Sequence, residues 1–292
     1  MNLRTLLTLG RTSNLPTVWS NMLSGAVLSG SVFGSGLLGV LLLVGSAFYE
    51  GGMFLNDAFD AELDARERPG RPIPSGQVGK STVFVLGFGL LGFGLLLLAA
   101  APFLRWGHPG PLPLLAGLAT CVAVLVYNRW HKGYGWSPLV MGACRAGLYA
   151  TAALAVSGRL GPVVLIGAGS LWLYIVGLTH IARFETGNMV DRTWVAAFVL
   201  SPLAFGAPAV LAQRKLLPAL CFALLLAWSV RSMTFALRGG KGQIPRAVVS
   251  LIAGVSLVDA LFISLHGTPP LVLGALAAFL VTLKWQRQIP GT

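Results

Sequence analysis

The chain has 292 residues, 55% of them hydrophobic and only 10% charged, far below the near-quarter charged content of a soluble globular domain. That excludes an ordinary soluble enzyme and implies several membrane spans, because an apolar run of about 20 residues crosses a bilayer. The formal net charge of +12, from 21 basic and 9 acidic residues, is accounted for by anionic lipid surfaces and basic inner loops, so no nucleic-acid partner is expected.

The apolar runs are continuous rather than alternating, which predicts an all-α, polytopic transmembrane helical bundle and not a barrel. In chain order, spans are expected at about 15–33, 36–56, 80–103, 111–128, 137–157, 160–182, 193–211, 216–236, 246–265 and 269–285. The count is nine to ten, since one of the short last two can lie flat or re-enter. Residues 1–292 read as a single integral-membrane domain. No small-residue cleavage pattern follows the first apolar run, so no signal peptide is expected.

If the N-terminus lies inside, the inner connections hold 15 Lys and Arg residues and the outer ones 4, with Arg145 and Arg231 left in or near spans. This asymmetry places both termini and the longer polar loops (57–79, 129–136, 183–192 and 237–246) on the cytoplasmic side, with a bacterial inner membrane as the expected location. Cys121, Cys144 and Cys221 lie in apolar runs without metal-ligand spacing and read as small core residues. The GGKGQIP segment at 239–245 has no preceding strand and lacks Walker spacing.

Five of the 9 acids, Asp57, Asp60, Glu62, Asp64 and Glu67, fall within 11 positions of this oily chain. If the second span continues as a helix past Asn56, Asp57, Asp60 and Asp64 share one face. Carboxylates so close remain ionised together only when cations neutralise them. An oxygen-only set suits Mg²⁺, which takes few carboxylates and completes its shell with water and phosphate. The alternative is a solvated acidic loop. The neighbouring Arg66, Arg68 and Arg71, with Lys132 on the next inner loop, suit a phosphate-rich anion, although basic residues on an inner loop also serve topology alone.

The pattern Asn56-Asp57-x-x-Asp60-x-x-x-Asp64, followed by Arg68-Pro69-x-Arg71-Pro72-x-Pro74-x-Gly76, resembles the first signature of the UbiA superfamily of membrane prenyltransferases. Tyr127 to Lys132 is similar to the segment after that family's fourth span. Arg11, Asn14 and Asn21 resemble polar residues of its first span. The resemblance implies a UbiA-type helical bundle around a central cavity. It implies Mg²⁺ as cofactor, a prenyl diphosphate donor with its tail in an apolar tunnel, and a small lipophilic or aromatic acceptor at the cytoplasmic face. Asp57, Asp60 and Asp64 then hold metal with help from Asn56, while Arg68, Arg71 and Lys132 bind diphosphate.

A second Asp-rich motif is expected after the sixth span, where this chain reads LTHIARFETGNMVDRTW. Glu185 and Asp191 are its only acids, with Asn188 between them. Glu185 is expected as a further metal ligand, with Arg183, Asn188 and Asp191 completing the substrate site. Within the spans, Glu50 lies one heptad before Asp57 and reads either as a catalytic group of the acceptor pocket or as the structural partner of Arg145. Asn21, Arg145 and Tyr149 are further expected substrate contacts, and Asp259 reads as structural. Tyr134, Trp136, Trp172 and Tyr174 either line the cavity or anchor the interface. Two other activities fit the same residues: a membrane terpene cyclase using the same ionisation, and a non-catalytic lipid-binding or transport protein.

Overall fold

The computed structural model describes residues 3–104, 106–183, 194–238 and 242–289. All regular structure among them is helical. A short α1 (Leu3–Leu9) and a 3-10 turn (Thr12–Asn14) lead into α2 (Leu15–Leu28). Then follow α3 (Ser35–Glu67), α4 (Lys80–Ala100), α5 (Leu112–Trp130), α6 (Ser137–Ser157) and α7 (Pro162–Ala182). The remainder is α8 (Trp194–Val199), α9 (Ser201–Gln213), α10 (Leu216–Arg238), α11 (Gln243–His266) and α12 (Pro269–Trp285).

Sequence punctuation explains most boundaries. Proline stands in the first turn of α2, α5, α6, α7, α9 and α12, where its missing N–H costs no helical bond. Gly158, left-handed at φ 68°, closes α6 by donating its N–H to the Leu154 carbonyl.

Two expected spans change shape. The second does not end at Asn56 but runs on to Glu67, giving a helix of 33 residues and about 50 Å, against a hydrocarbon core of about 30 Å. Its last turns therefore carry the Asp-rich face on rigid helix rather than on a loop. The span expected over 193–211 is interrupted at Leu200, between α8 and α9, because Pro202 withholds a backbone donor at that point.

Among the described residues, seven helices are long and apolar enough to cross a bilayer: α3, α4, α5, α6, α7, α10 and α11. With 14, 13 and 17 residues, α2, α9 and α12 are shorter than a typical spanning helix. The expected nine to ten spans therefore exceed the seven that length and apolarity support.

Burial separates inner from outer helices. In α11, 89% of the most apolar stretch is buried, against 28% in α4 and in α5; α11 is the central post and α4 and α5 present apolar side chains outward. Two large apolar clusters form most of the core, and a smaller third gathers Leu9, Phe54, Ala58, Val78 and Val83. Of the two large ones, one joins α7 to α12, and the other joins α3, α4 and α5, with α2 and α6 contributing to both. The α2–α6 seam is backbone-close: a Cβ at Gly25 would lie 2.5 Å from the Tyr149 carbonyl oxygen, so only glycine permits that approach.

Candidate functional site

A cavity of about 430 Å³ opens between α3, α5, α6, α7 and α11, polar at one end and apolar deeper in. Its polar end is built on the extension of α3. Asn56, Asp57 and Asp64 are buried there and Asp60 is partly so. Asn56, Asp60 and Asp64 line the cavity, while Asp57 sits just behind, against two of the lining arginines.

Each aspartate is met by a cation from a different part of the chain. Residues 68–79 fold back over the end of α3, stapled by Ser75 N–H to the Arg71 carbonyl and Gln77 N–H to the Pro72 carbonyl. This brings Arg71 Nη1 to 3.2 Å from Asp57 Oδ1 and 2.9 Å from Asp64 Oδ2. From the N-terminal segment, Arg11 Nη2 reaches Asp57 Oδ1 at 3.1 Å and Asn56 Oδ1 at 3.2 Å. Arg11 adopts a left-handed backbone, φ 43°, a conformation that costs a non-glycine residue roughly 1–2 kcal/mol and clusters at functional sites. From the end of α5, Lys132 Nζ lies 2.9 Å and His131 Nε2 3.4 Å from Asp60.

The end of α5 is itself registered on α3. Asn128 donates to the Gly52 carbonyl at 2.9 Å and accepts from Asn56 Nδ2 at 3.3 Å. Asn128 lies in the last turn of α5, and His131 and Lys132 follow just beyond its end at Trp130, so the three meet the acidic face together. Neither His131 nor Asn128 has a site role on sequence grounds alone; the three- and four-residue spacing of Asn128, His131 and Lys132 is the signal that picks them out.

Arg68, Lys132 and Arg183 line the polar end, and Arg183 Nη1 also lies 3.4 Å from the Gly135 carbonyl. Among the described residues the lining holds six cationic side chains, Arg11, Arg68, Arg71, Lys132, Arg145 and Arg183, against three carboxylates, Asp60, Asp64 and Glu67. Such an excess of guanidinium and ammonium groups favours a polyanionic ligand.

Other expected site residues are placed elsewhere. Glu50 does not line the cavity and makes no ion pair with Arg145; its carboxylate accepts from Thr12 Oγ1 at 3.2 Å. The face that Glu50 shares with Asp57 is covered by residues 10–14, which corrects both readings of Glu50. Asn21 and Tyr149 are wholly buried behind the wall and bind the carboxylate of Asp259 instead. Tyr134, Trp136, Trp172 and Tyr174 do not line the cavity; its aromatic lining is Phe48, Tyr49 and Tyr127. Glu185, Asn188 and Asp191 lie outside the described residues.

Among the described residues no three acidic, His or Cys side chains converge into a ready metal cage. Asp57 and Asp64 are seven residues apart, about 10 Å of helix rise. The exclusively oxygen donors of Asn56, Asp57, Asp60 and Asp64 nonetheless fit Mg²⁺, which takes only one or two carboxylates and completes its octahedron with water and phosphate oxygens.

Comparison with known proteins agrees with this geometry. Residues 14–268 match the UbiA prenyltransferase family. A digeranylgeranylglyceryl phosphate synthase of Metallosphaera sedula is 31% identical over 145 residues, 50% of this chain but only 39% of the relative's length. The Methanopyrus kandleri enzyme of that name is 28% identical over 209 residues, 70% of each chain. A solved digeranylgeranylglyceryl phosphate synthase superposes with a TM-score of 0.63 at 18% identity, covering 94% of this chain and 99% of that one. A UbiA homologue from Archaeoglobus fulgidus bound to DMAPP and Mg²⁺ gives 0.52 at 14% identity, covering 96% and 98%. At these identities the structures establish a shared fold. With the family match spanning most of its length, the chain belongs to the UbiA prenyltransferase family.

Proposed function

We propose that this protein transfers an isoprenyl group from a prenyl diphosphate to a small lipophilic or aromatic acceptor at a membrane surface. The observation that carries the reading is a cavity with a cation-rich, carboxylate-bearing end continuous with an apolar interior. One end suits diphosphate and the other suits a hydrocarbon tail. The Archaeoglobus fulgidus homologue, bound to DMAPP and Mg²⁺, supports the same donor and metal for this chain.

In this mechanism the allylic C–O bond breaks with its electron pair leaving on the diphosphate. The acceptor's electron pair captures the carbocation, and the acceptor then loses a proton. Arg71, Arg68, Lys132 and Arg183 bind the diphosphate oxygens and stabilise the charge that develops on them. Asp57, Asp60 and Asp64, with Asn56, are the residues that would hold Mg²⁺, with Glu185 assigned as a further ligand and Asn188 and Asp191 as substrate contacts. When bound, the metal supplies further neutralisation of the leaving diphosphate. The apolar wall of Phe48, Val124, Leu148 and Ile175 keeps water from the carbocation.

The relatives named above are synthases that attach prenyl groups, which favours transfer over cyclisation. The Lys/Arg asymmetry of the connections supports a site and both termini facing the cytoplasm. A ten-span arrangement would require α2, α9 and α12 all to traverse the bilayer within the bundle, and a nine-span arrangement two of them. Purified full-length protein with Mg²⁺ and C10 to C20 prenyl diphosphates should release pyrophosphate in the presence of acceptor, and Asp60→Ala should abolish that release. Release that is unchanged in the variant would defeat the proposal.

A further inference from the structure

The outer surface of α10 changes character along one line of side chains. Leu220 and Leu224 are exposed on it, and Trp228, Arg231, Phe235 and Arg238 continue it at three- and four-residue spacing. Arg231 is exposed and lies seven residues before the helix end at Arg238, about 10 Å of rise. It is thus a cation set two turns into the surface of a helix apolar enough to span a bilayer. Arg246, in the first turn of α11, is exposed as well.

Both guanidiniums are held by rings instead of by acids. Trp228 is fixed first: its Nε1 donates to the Ser250 carbonyl at 2.8 Å, and its ring meets Phe279 edge-on with centroids 4.8 Å apart. Arg231 Cζ stands 4.8 Å from the Trp228 ring and 5.5 Å from the Phe235 ring. Arg246 Cζ stands 4.3 Å from that same Phe235 ring. Two cations that share one ring are within about 10 Å of each other, and such stacking leaves the N–H edges of a guanidinium free to donate. Among the described residues neither guanidinium has a carboxylate or a hydrogen-bond partner. From residue 192 onward the only acid is Asp259, wholly buried on α11 and about 20 Å of helix rise beyond Arg246. The start of α11 adds to the deficit of negative charge: Gly242 caps it without a side chain, and a helix N-terminus favours an anion.

We propose that the junction of α10 and α11 is a binding site for the phosphate of an anionic phospholipid. Arg231 and Arg246 grip the phosphate oxygens, and the acyl chains lie along Leu224 and Leu220. A lipid is the occupant because one molecule then satisfies the cations and the apolar line that leads away from them, and a cation at that depth is costly without a counter-charge. The site is separate from the central cavity. Val248, Ile252 and Val255 present the other side of α11 to that cavity, and the lipid assignment does not depend on the transferase reading.

Native mass spectrometry of the full-length protein in detergent tests this, titrating phosphatidylglycerol against phosphatidylcholine of the same acyl chains. The wild type should hold one phosphatidylglycerol at least tenfold more tightly than phosphatidylcholine. Arg231→Gln combined with Arg246→Gln should lose at least fivefold of that preference, with the melting temperature in lipid-free detergent unchanged. Should the double variant melt lower, Phe235→Leu, which keeps both charges and removes only their shared ring, should still weaken phosphatidylglycerol binding at least twofold. Arg4→Gln combined with Arg129→Gln removes the same charge from other exposed positions and should keep the preference. No preference in the wild type, a preference that survives at the α10–α11 junction in both variants, or an equal loss in the Arg4 and Arg129 control would each overturn the site. Displacement of the lipid by millimolar inorganic phosphate would make this a site for a free anion and overturn the lipid assignment.

Discussion

Arg71 and Asp64 form an ion pair between the proline-rich loop and the acidic helix: Nη1 of the one lies 2.9 Å from Oδ2 of the other. The same nitrogen also reaches Asp57, 3.2 Å away. One guanidinium thus ties the two carboxylates that bracket Asp60, and it does so while lining the cavity.

Arg71→Ala should therefore damage the site in two ways, leaving Asp57 and Asp64 short of a counter-charge and removing a fork for phosphate. The expected loss in kcat/KM for the prenyl diphosphate is about 10²-fold, roughly 3 kcal/mol. Arg71→Lys should recover only part of it, because a lysine ammonium can meet the carboxylates but cannot also present a planar fork of donors to phosphate. Steady-state kinetics with varied donor are the check, and wild-type kinetics in the alanine variant would rule out a role for Arg71 in donor binding.

Chelation should separate function from folding. Arg11, Arg71 and Lys132 already neutralise the three aspartates within the protein, so metal is not required to keep those carboxylates from repelling one another. EDTA should abolish turnover and leave the melting temperature in detergent within about 2 °C, a shift that corresponds to about 1 kcal/mol for a chain of this length. A large drop in melting temperature would show that a divalent ion is structural here.

Arg11 sets backbone strain against function. Arg11→Gly relieves the left-handed backbone cost and should leave stability unchanged or raise it by up to about 1 kcal/mol. Activity should nevertheless fall at least tenfold, because Asp57 and Asn56 lose the guanidinium that positions them. Thermal melting and turnover measured on the same preparation should thus move apart; a parallel fall in both would make Arg11 merely structural.

At the α2–α6 seam, Gly25→Ala would put a methyl group 2.5 Å from the Tyr149 carbonyl oxygen. Neither backbone can yield without displacing Asn21 and Tyr149 from Asp259. The expected cost is about 1–3 kcal/mol of stability, as for overpacking generally. The control Gly39→Ala, at a position open on all sides, should be neutral or better. Melting curves of the two variants side by side are the measurement.

The helical spacing of Asp57, Asp60 and Asp64 was readable along the chain because three- and four-residue neighbours share a helix face regardless of what surrounds them. The same rule placed Glu50 with Asp57, and they do share a face, but the N-terminal segment covers it. Periodicity reports phase about one helix axis and carries no record of which neighbour packs on that side. For the same reason Tyr149 and Asn21 read as ligand contacts and Asn128 went unnoticed. Their partners, Asp259 and Gly52, lie 110, 238 and 76 residues away.

Composition and local order thus establish a helical membrane protein with an acidic motif and a basic loop, since burying helices in lipid and repelling like charges are short-range demands written in consecutive residues. Which cation meets which aspartate, that α3 runs on to Glu67 as a rigid arm, and that Arg145 faces the cavity are consequences of packing. They depend on how α2, α5, α6 and α11 close around one another, and that arrangement is set by the sum of many contacts between segments far apart in the chain.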